Sequence, residues 1–327
     1  MNKTSIEWTH RPETRGAAGG MTWNPIRARI KSDSENGARL SRDSTKLLPL
    51  RSGTFCTRIS PGCQHCYAST INKRFGNGLE FTVPNLEKIE FFVDERILHE
   101  PWKQKKPCTI FVGDMFDLFH EAIPRELIYR VLDICEAATQ HTFQLLTKRA
   151  ARMESVFSFK YSNSTSQFPP PHLWAGVSVE SQKYADERIP LLLQTPAAVR
   201  FLSVEPQLEA VDLGNYLLPD LYMHNGITGD AACTPGIDWV ICGGESGPGA
   251  RPFNLAWAES LMAQCHSANV PFFMKQIGGD PRYSCDQINA GWHAKRKDRK
   301  GGDPSEWPAD LRVREFPTVE HREAVTA

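Results

Sequence analysis

The feature that most constrains the fold of this chain is an alternation of short apolar runs with amphipathic helical patterns. Seven runs are apolar almost throughout, as expected for strands of a parallel sheet that is covered on both faces. They are KIEFFV (88–93), TIFVGD (109–114), TFQLLTK (142–148), LWAGVSVE (173–180), VRFLSVE (199–205), DWVICGGE (238–245) and VPFFMKQ (270–276).

Helical patterns separate these runs at 124–139, 181–195 and 254–269, with Pro124 and Asn254 at two of the helix starts and Pro190 predicted to interrupt the middle helix. Repeated strand–helix units predict an α/β fold with a parallel sheet, either doubly wound or closed into a barrel. We predict a (β/α) TIM-type barrel, complete or partial, of about six to eight strands, one of them a short strand leading into Cys56.

Polar side chains recur where the predicted strands end, and in a barrel these ends meet at one mouth, where active sites lie. Any one of these residues could be polar simply because strands end in loops that contact water. Their repetition over successive strands favours a site. The residues are Asp114, Asp117, Lys148, Arg149, Glu180, Glu205, Glu245, Ser246, Lys275 and Gln276.

The charge balance and the N-terminal sequence indicate which partners and which cellular compartment to expect. The chain has 38 basic and 38 acidic residues, so any contact with nucleic acid would have to be local. The start MNKTSIEWTHRPE lacks the apolar stretch of a signal peptide, which predicts a cytoplasmic protein. We expect one large barrel domain over 1–280, with a solvated basic insertion at 27–54, and a C-terminal extension over 281–327 that packs on the barrel.

Cys56, Cys63 and Cys66 lie within the stretch FCTRISPGCQHCYAS. In a reducing compartment, such a cluster indicates metal ligands or reactive thiols instead of disulfides. A zinc site normally takes four ligands, and only His65 is nearby to complete one. Three thiolates on one loop suit a [4Fe-4S] cluster that leaves one iron open. A redox switch or unliganded thiols remain the alternative. The cysteines at 108, 135, 242 and 265 fit core positions.

Several motifs together resemble the phage-associated, radical-SAM-like family known as the three-Cys-motif phage proteins. They are SIEWT, TWNPI, CTRISPGCQHCYA, DLFHEAIP, HTFQLLTKR, LWAGVSVE, ADERIPLLL, RFLSVEP, VICGGESGPGARP, PFFMKQIGG and KGGDPSEWPADLRVREFP. The resemblance implies a barrel, S-adenosylmethionine (SAM) bound at the open iron, and a partner protein, the three-Cys-motif partner. The chain departs from the usual radical SAM motif in its longer first cysteine gap, and from the family in the insertion between Pro25 and Cys56.

Candidate roles follow for the other polar residues at the predicted mouth. Carboxylates and cations near a sulfonium and a polar substrate suit acid–base chemistry, which assigns catalytic roles to Asp114, Asp117, Lys148, Glu205 and Lys275. Glycines let backbone approach a ligand, and a carboxylate accepts hydrogen bonds from an ammonium or from ribose. The expected cofactor-binding residues are Tyr67, Glu180, Gly243, Gly244, Glu245 and Ser246. His120 fits a structural or capping role better.

The sequence therefore predicts an iron–sulfur protein that binds SAM and acts on an unidentified substrate, with nucleic acid as one candidate because of the basic insertion and tail. Two other classes stay open. One is a zinc-binding protein whose cysteines fasten the N-terminal loop to the barrel. The other is a nucleic-acid-binding or phage-defence module that acts with a partner protein.

Overall fold

In the computed structural model, backbone and side chains are described for residues 1–11, 19–31, 52–161, 170–217, 236–283 and 296–318, and backbone alone for 38–40 and 47–49. The chain divides into two compact units. The first comprises Met1–Ser5 and Glu13–Leu145, and the second comprises Ile6–Pro12 and Leu146–Ala327. No helix within these described ranges has both the length and the apolar content needed to cross a membrane.

The first unit combines parallel strands with two small antiparallel sheets. Strands β1, β2, β8 and β9 lie in that order, antiparallel between β1 and β2 and parallel thereafter. A second sheet has the antiparallel order β6-β3-β7, and β4 pairs with β5. The elements are β1 (Asn2–Lys3), β2 (Gly20–Trp23), β3 (Ile26–Ile30), β4 (Ala38–Leu40), β5 (Leu47–Pro49), β6 (Ser52–Gly53), α1 (Tyr67–Phe75), α2 (Val83–Leu86), β7 (Ile89–Val93), α3 (Glu95–Leu98), α4 (Glu100–Lys103), β8 (Thr109–Val112), α5 (Arg125–Ala137) and β9 (Thr142–Thr147), whose last two residues fall in the second unit.

The second unit is built on four parallel strands in the order β10-β11-β12-β14. A short parallel pair, β13 and β15, accompanies them. The elements are α6 (Ala150–Tyr161), β10 (Leu173–Ser178), α7 (Gln182–Gln194), β11 (Val199–Val204), α8 (Gly214–Leu217), β12 (Trp239–Gly243), β13 (Phe253–Asn254), α9 (Leu255–Ser267), β14 (Phe272–Gln276) and β15 (Pro281–Arg282). The predicted α/β class with mostly parallel strands is confirmed, and closure into a barrel stays a prediction.

Six of the seven apolar runs form parallel strands, because their side chains are buried on both faces, as in β10 and β11. The seventh prediction was wrong. Strand β7 pairs antiparallel with β3, and only Ile89 of its five residues is buried, so it belongs to a half-exposed sheet. The short strand before Cys56, β6, joins the same antiparallel sheet. The parallel strand missed from the sequence is β2, whose four residues are too few to show a period.

The predicted helices are present, with differences at their prolines. Asn254 caps α9 through a hydrogen bond that its Oδ1 accepts from the Ala256 N–H at 3.1 Å, and Pro124 occupies the N-cap of α5. Helix α7 runs through Pro190 without a break, since buried Arg188, Ile189 and Leu192 anchor that turn. The basic insertion, 27–54, includes most of β3 and all of β4, β5 and β6. Its residues 32–37, 41–46 and 50–51 lie outside the described part, as do Cys233 and Cys285.

The core of the second unit is aromatic at one end. The ring of Trp239 lies 6.3 Å from that of Trp8 and 6.0 Å from those of Trp174 and Phe201. The C-terminal segment 296–318 packs on this core, because the Trp239 indole N–H donates to the Glu315 carbonyl at 2.9 Å. Division of the chain at residue 280 stays a prediction.

Candidate functional site

The three clustered cysteines lie on one loop of the first unit, residues 54–66, which we call the thiol loop. It leaves β6 and ends at Cys66, the N-cap of α1. A single 3₁₀ turn, Pro61–Cys63, is closed by the Cys63 N–H bonding to the Ser60 carbonyl at 3.0 Å. All three thiols are partly exposed and free of disulfides. The turn predicted from Pro61 and Gly62 is thus present.

A small hydrophobic cluster packs against the thiol loop. Cys56 and Cys66 pack against buried side chains that come from several elements of the first unit: Ala28, Phe55, Ala68, Phe81 and Ile89. The rings of Phe55 and Phe81 lie 5.4 Å apart. The first and third cysteines therefore rest on a packed base and are partly exposed as residues.

Polar contacts join the end of the thiol loop to the carboxyl ends of β2 and β8. Tyr67, the residue after Cys66, donates its hydroxyl proton to the Asp114 carbonyl at 2.5 Å. Asn24, just after β2, donates to Asp114 Oδ1 at 2.6 Å and accepts from the Met115 N–H at 3.2 Å. These bonds place Cys66 beside the edge where parallel strands present functional groups.

A second contact fastens the start of the loop. Thr57, the residue after Cys56, lies with its Oγ1 at 2.9 Å from Nε2 of buried His120. His120 Nδ1 accepts a bond from the Ala122 N–H at 3.1 Å, so the neutral ring carries its proton on Nε2 and donates to Thr57. These bonds tie His120 into the fold, and its structural role stays a prediction.

Two buried asparagines, Asn72 and Asn77, connect both flanks of the loop; we call them the asparagine clasp. Asn72 Oδ1 accepts from the Thr54 N–H at 3.1 Å, and its Nδ2 donates to Asn77 Oδ1 at 2.7 Å and to the Leu79 carbonyl at 2.9 Å. Asn77 Nδ2 donates to the Ala28 carbonyl at 3.3 Å. The clasp thereby joins α1, which follows the loop, to the strands that precede it.

The two aspartates predicted to be catalytic differ in environment. Burial raises the pKa of Asp114, opposed by hydrogen bonds from Asn24 and Thr22. A carboxyl group of this kind can hold or release a proton nearer to neutral pH than an exposed one. Asp117 is buried, and its Oδ1 accepts from the Phe119 N–H at 3.0 Å, which closes the turn after β8. Asp114 is therefore the better candidate for chemistry.

The thiol loop offers three cysteine side chains as donors to a metal group. In the described ranges, no three His, Cys, Asp or Glu side chains are placed to hold one metal ion. A [4Fe-4S] cluster binds its cysteines through different irons, so their sulfurs lie farther apart than the ligands of a single ion. Three partly exposed cysteines without disulfides on one supported loop are the donor set that a three-cysteine cluster would use.

In the second unit, Glu180 lies in a buried network after β10. Its Oε1 is 2.6 Å from Lys148 Nζ and its Oε2 is 2.9 Å from Arg188 NH1. Arg188 also donates to the Ser178 carbonyl at 2.8 Å, and its guanidinium lies 4.2 Å from the Tyr184 ring centroid. One buried carboxylate thus contacts two cations at this strand end.

Glu205 and Lys275, predicted as catalytic, meet at the ends of β11 and β14. Lys275 Nζ lies 2.7 Å from Glu205 Oε2, and Gln276 Nε2 donates to Glu205 Oε1 at 2.8 Å. Both charged side chains are partly exposed. An ion pair held by a third polar group in this way can bind or orient a polar ligand.

The glutamate of the Gly-Gly-Glu segment after β12 forms its hydrogen bonds within its own loop. Glu245 binds Arg251, through NH2 at 2.7 Å and Nε at 3.0 Å, and accepts from the Arg251 N–H at 3.0 Å. A Cβ on Gly244 would lie 2.8 Å from Phe253 Cδ1, so close packing requires glycine there. Gly243 and exposed Ser246 complete the segment. These contacts give Glu245 a loop-closing role, and its role toward a cofactor stays a prediction.

Sequence reasoning missed the residues that support these groups. Asn24, Thr57, Asn72 and Asn77 hold the thiol loop, and Arg251 holds Glu245. The only sequence signal available was position, since Asn24 follows an apolar stretch in TWNP and Arg251 lies in GARP. Thr57 lies in the motif CTRISPGCQHCYA beside Cys56, whereas Asn72 and Asn77 sit in stretches without a distinctive pattern.

A comparison with protein-family models finds one family that matches most of the chain. Residues 51–306, which include the thiol loop and the strand ends of the second unit, match the model described as "Protein of unknown function (DUF5131)". Comparisons with curated proteins and with solved structures find no match. Because the match spans most of its length, the chain belongs to the DUF5131 family of proteins of unknown function.

Proposed function

We propose that this chain is a radical-SAM-like iron–sulfur protein, which holds a [4Fe-4S] cluster on Cys56, Cys63 and Cys66 and binds SAM at the open iron. The observation that carries the proposal is that both ends of the thiol loop are fastened to the segment after β8, through Thr57 and Tyr67. Fastening of this kind is what a cluster needs from a protein that must hold three thiolates in fixed positions.

Such a cluster, when bound, supplies the electron that cleaves the sulfonium of SAM. The chain's own residues have other tasks. The three cysteines bind iron as thiolates, and the packed base under Cys56 and Cys66 limits their movement. Asp114, partly buried with a raised pKa, is a candidate for exchanging a proton or for contacting the ammonium of SAM.

The proposal also includes contact residues in the second unit and binding partners. Lys148, Glu180, Glu205, Glu245 and Lys275 remain candidates for cofactor and substrate contacts at its strand ends. The partner protein, a nucleic-acid substrate, the phage association and a cytoplasmic location also stay predictions.

Anaerobic reconstitution of the parent and of Cys56→Ala, Cys63→Ala and Cys66→Ala tests the proposal. We expect the parent to develop a broad absorbance band near ~400 nm and each variant to lose it, because each cysteine binds a separate iron. Gln64→Ala is the matched control, since Gln64 is an exposed residue of the same loop that cannot bind iron well.

His65→Ala separates the cluster from the zinc alternative. His65 is exposed on the same loop and is the nearest further ligand for a tetrahedral ion. We expect this variant to keep the parent's band. A colourless parent with about one zinc per chain, lost together in His65→Ala and the cysteine variants, would refute the proposal.

A further inference from the structure

Helix α4 of the first unit presents one large aromatic side chain to solvent. Trp102 is 50% exposed, although it directly follows buried Pro101. The His99 ring lies 5.0 Å from the Trp102 ring at an angle of 51°. Among the described residues of the segment 96–107, no other large apolar side chain is exposed. Trp102 therefore offers a single flat apolar surface in polar surroundings.

Three lysines follow Trp102 in the sequence PWKQKKP (101–107). Lys103, Lys105 and Lys106 are all exposed. Within the described ranges, no carboxylate forms an ion pair with any of the three. Four residues of fully extended chain span at most about 14 Å, so the three lysines stay close to the Trp102 ring.

The acidic side chains of this region have other partners or leave the lysines unpaired. Glu100 contacts the amino group of Met1, and Glu95 lies 2.6 Å from Arg130. Asp94 caps the start of α3. Three further carboxylates, all on neighbouring α5, form no ion pair with the lysines: Glu126, Asp133 and Glu136. The charge immediately around Trp102 is therefore positive.

The backbone of this segment is fastened on its inner side. The Pro101 carbonyl accepts from His141 Nε2 at 3.0 Å, and the Gln104 carbonyl accepts from Gln140 Nε2 at 3.4 Å. Pro101 and Pro107 also restrict the backbone at both ends of the lysine run. A partner would thus meet a backbone that is already ordered, which lowers the entropy cost of binding.

We propose that Trp102 and the three lysines form a binding surface for single-stranded nucleic acid. An unpaired base can stack on the exposed ring, while the ammonium groups contact the phosphates beside it. A duplex offers phosphates but keeps its bases stacked on one another, so the surface favours single strands. One ring without further exposed apolar residues buries too little apolar area to hold the protein on a membrane.

This surface lies apart from the proposed cluster. The segment 96–107 leads into the amino end of β8, whereas the thiol loop contacts Asp114, which follows the carboxyl end of the same strand. The surface therefore holds a strand and takes no part in a reaction at the cluster. The proposal does not depend on the cluster, because none of its residues lies on the thiol loop.

The test measures binding of a fluorescein-labelled oligothymidylate of about 12 nucleotides by anisotropy. Trp102→Ala removes the ring, and Trp102→Phe keeps an aromatic face. The combined change of Lys103, Lys105 and Lys106 to Gln removes three charges. Two sets of changes at exposed positions elsewhere serve as controls: Phe159→Ala, and Lys73→Gln with Lys88→Gln and Lys183→Gln.

We expect Trp102→Ala to bind at least about tenfold more weakly than the parent with the same salt dependence, and Trp102→Phe to stay within about threefold of the parent. The lysine variant should lower the slope of log affinity against log salt by about 2, because each phosphate contact on a single strand contributes about 0.7. Both controls should match the parent.

A parent that does not bind the oligonucleotide would overturn the proposal, and so would equal affinity of the parent and Trp102→Ala. An equal salt slope in the parent and the lysine variant would also contradict it. Two further results would count against it: tighter binding of a duplex of the same length, and binding of phosphatidylserine vesicles that requires Trp102 while the oligonucleotide stays unbound.

Discussion

At the residue scale, burial decides how much an ion pair contributes. Glu180 is fully buried between Lys148 and Arg188. In Glu180→Gln, Lys148 and Arg188 would both lose this carboxylate, and the Arg188 side chain is too buried for water to replace it. We expect the free energy of unfolding to fall by about 3–5 kcal/mol, measured by urea denaturation.

The exposed pair of Arg29 and Glu90 is the matched control for this prediction. Its atoms approach as closely, at 2.9 Å, but both side chains are about half exposed. Glu90→Gln should cost less than about 1 kcal/mol, because water and salt screen such pairs. Equal losses in the two variants would show that burial does not set the energy of the Glu180 network.

Residue types alone predicted the charged groups at the strand ends but not their partners. Glu180, Glu205 and Lys275 were expected near a site because parallel strands end at one edge, and within the second unit Glu205 and Lys275 do meet. Arg188 was not expected, since it lies on a helix where a charged residue normally faces solvent. Only the packing of α7 shows that this side chain points inward.

At the element scale, the asparagine clasp makes the thiol loop dependent on α1. Asn72→Asp keeps the shape of the side chain but removes both hydrogen bonds that its amide donates. We expect a loss of about 1–3 kcal/mol, because the Leu79 carbonyl loses its donor, while Asn77 Oδ1 still accepts from the Leu79 N–H at 3.1 Å. We also expect faster alkylation of Cys56 and Cys66, because the loop would move more. Mass spectrometry after timed iodoacetamide treatment measures the rates.

Asn85→Asp is the control for this variant, because Asn85 also donates from its side chain, to the Glu80 carbonyl at 3.1 Å, but lies nearer the surface. It should leave the alkylation rates unchanged. If Asn72→Asp leaves them unchanged as well while lowering stability, the clasp supports the fold without positioning the cysteines.

Strands were predictable where the apolar run in the sequence was long enough to be recognised. The runs that became β10 and β11 are six residues long and buried throughout, and they were found. Strand β2 has four residues, and β7 was assigned to the wrong sheet because an apolar run does not distinguish parallel from antiparallel pairing. The contacts of the thiol loop link residues up to 63 positions apart, as between Thr57 and His120, and no local pattern encodes them.

At the scale of the whole molecule, the seven cysteines in the described ranges divide into three partly exposed ones on the thiol loop and four buried ones. Burial raises the pKa of Cys265 to about 12 and that of Cys108 to about 11. The Cys265 thiol thus stays protonated in the folded chain at pH values where the unfolded chain ionises. Its contribution to stability is complete below about pH 9 and is lost as the pH rises toward 12.

Cys265→Ala tests this linkage. Between about pH 9 and about pH 10, the parent should lose about 1 kcal/mol more stability than the variant, because only the parent's unfolded state gains from ionising this thiol. Denaturant unfolding at both pH values measures the difference. Leu261→Ala, a buried change on the same helix, should lower stability equally at the two pH values. The same pH dependence in parent and Cys265→Ala would contradict the assignment.

The central claim is that the thiol loop holds an iron–sulfur cluster, and the most direct measurement is the iron and acid-labile sulfide content of protein purified without oxygen. We expect about four irons and about four sulfides per chain in the parent, and neither in the protein that lacks Cys56, Cys63 and Cys66. Equal iron in the parent and in that triple variant would contradict the claim.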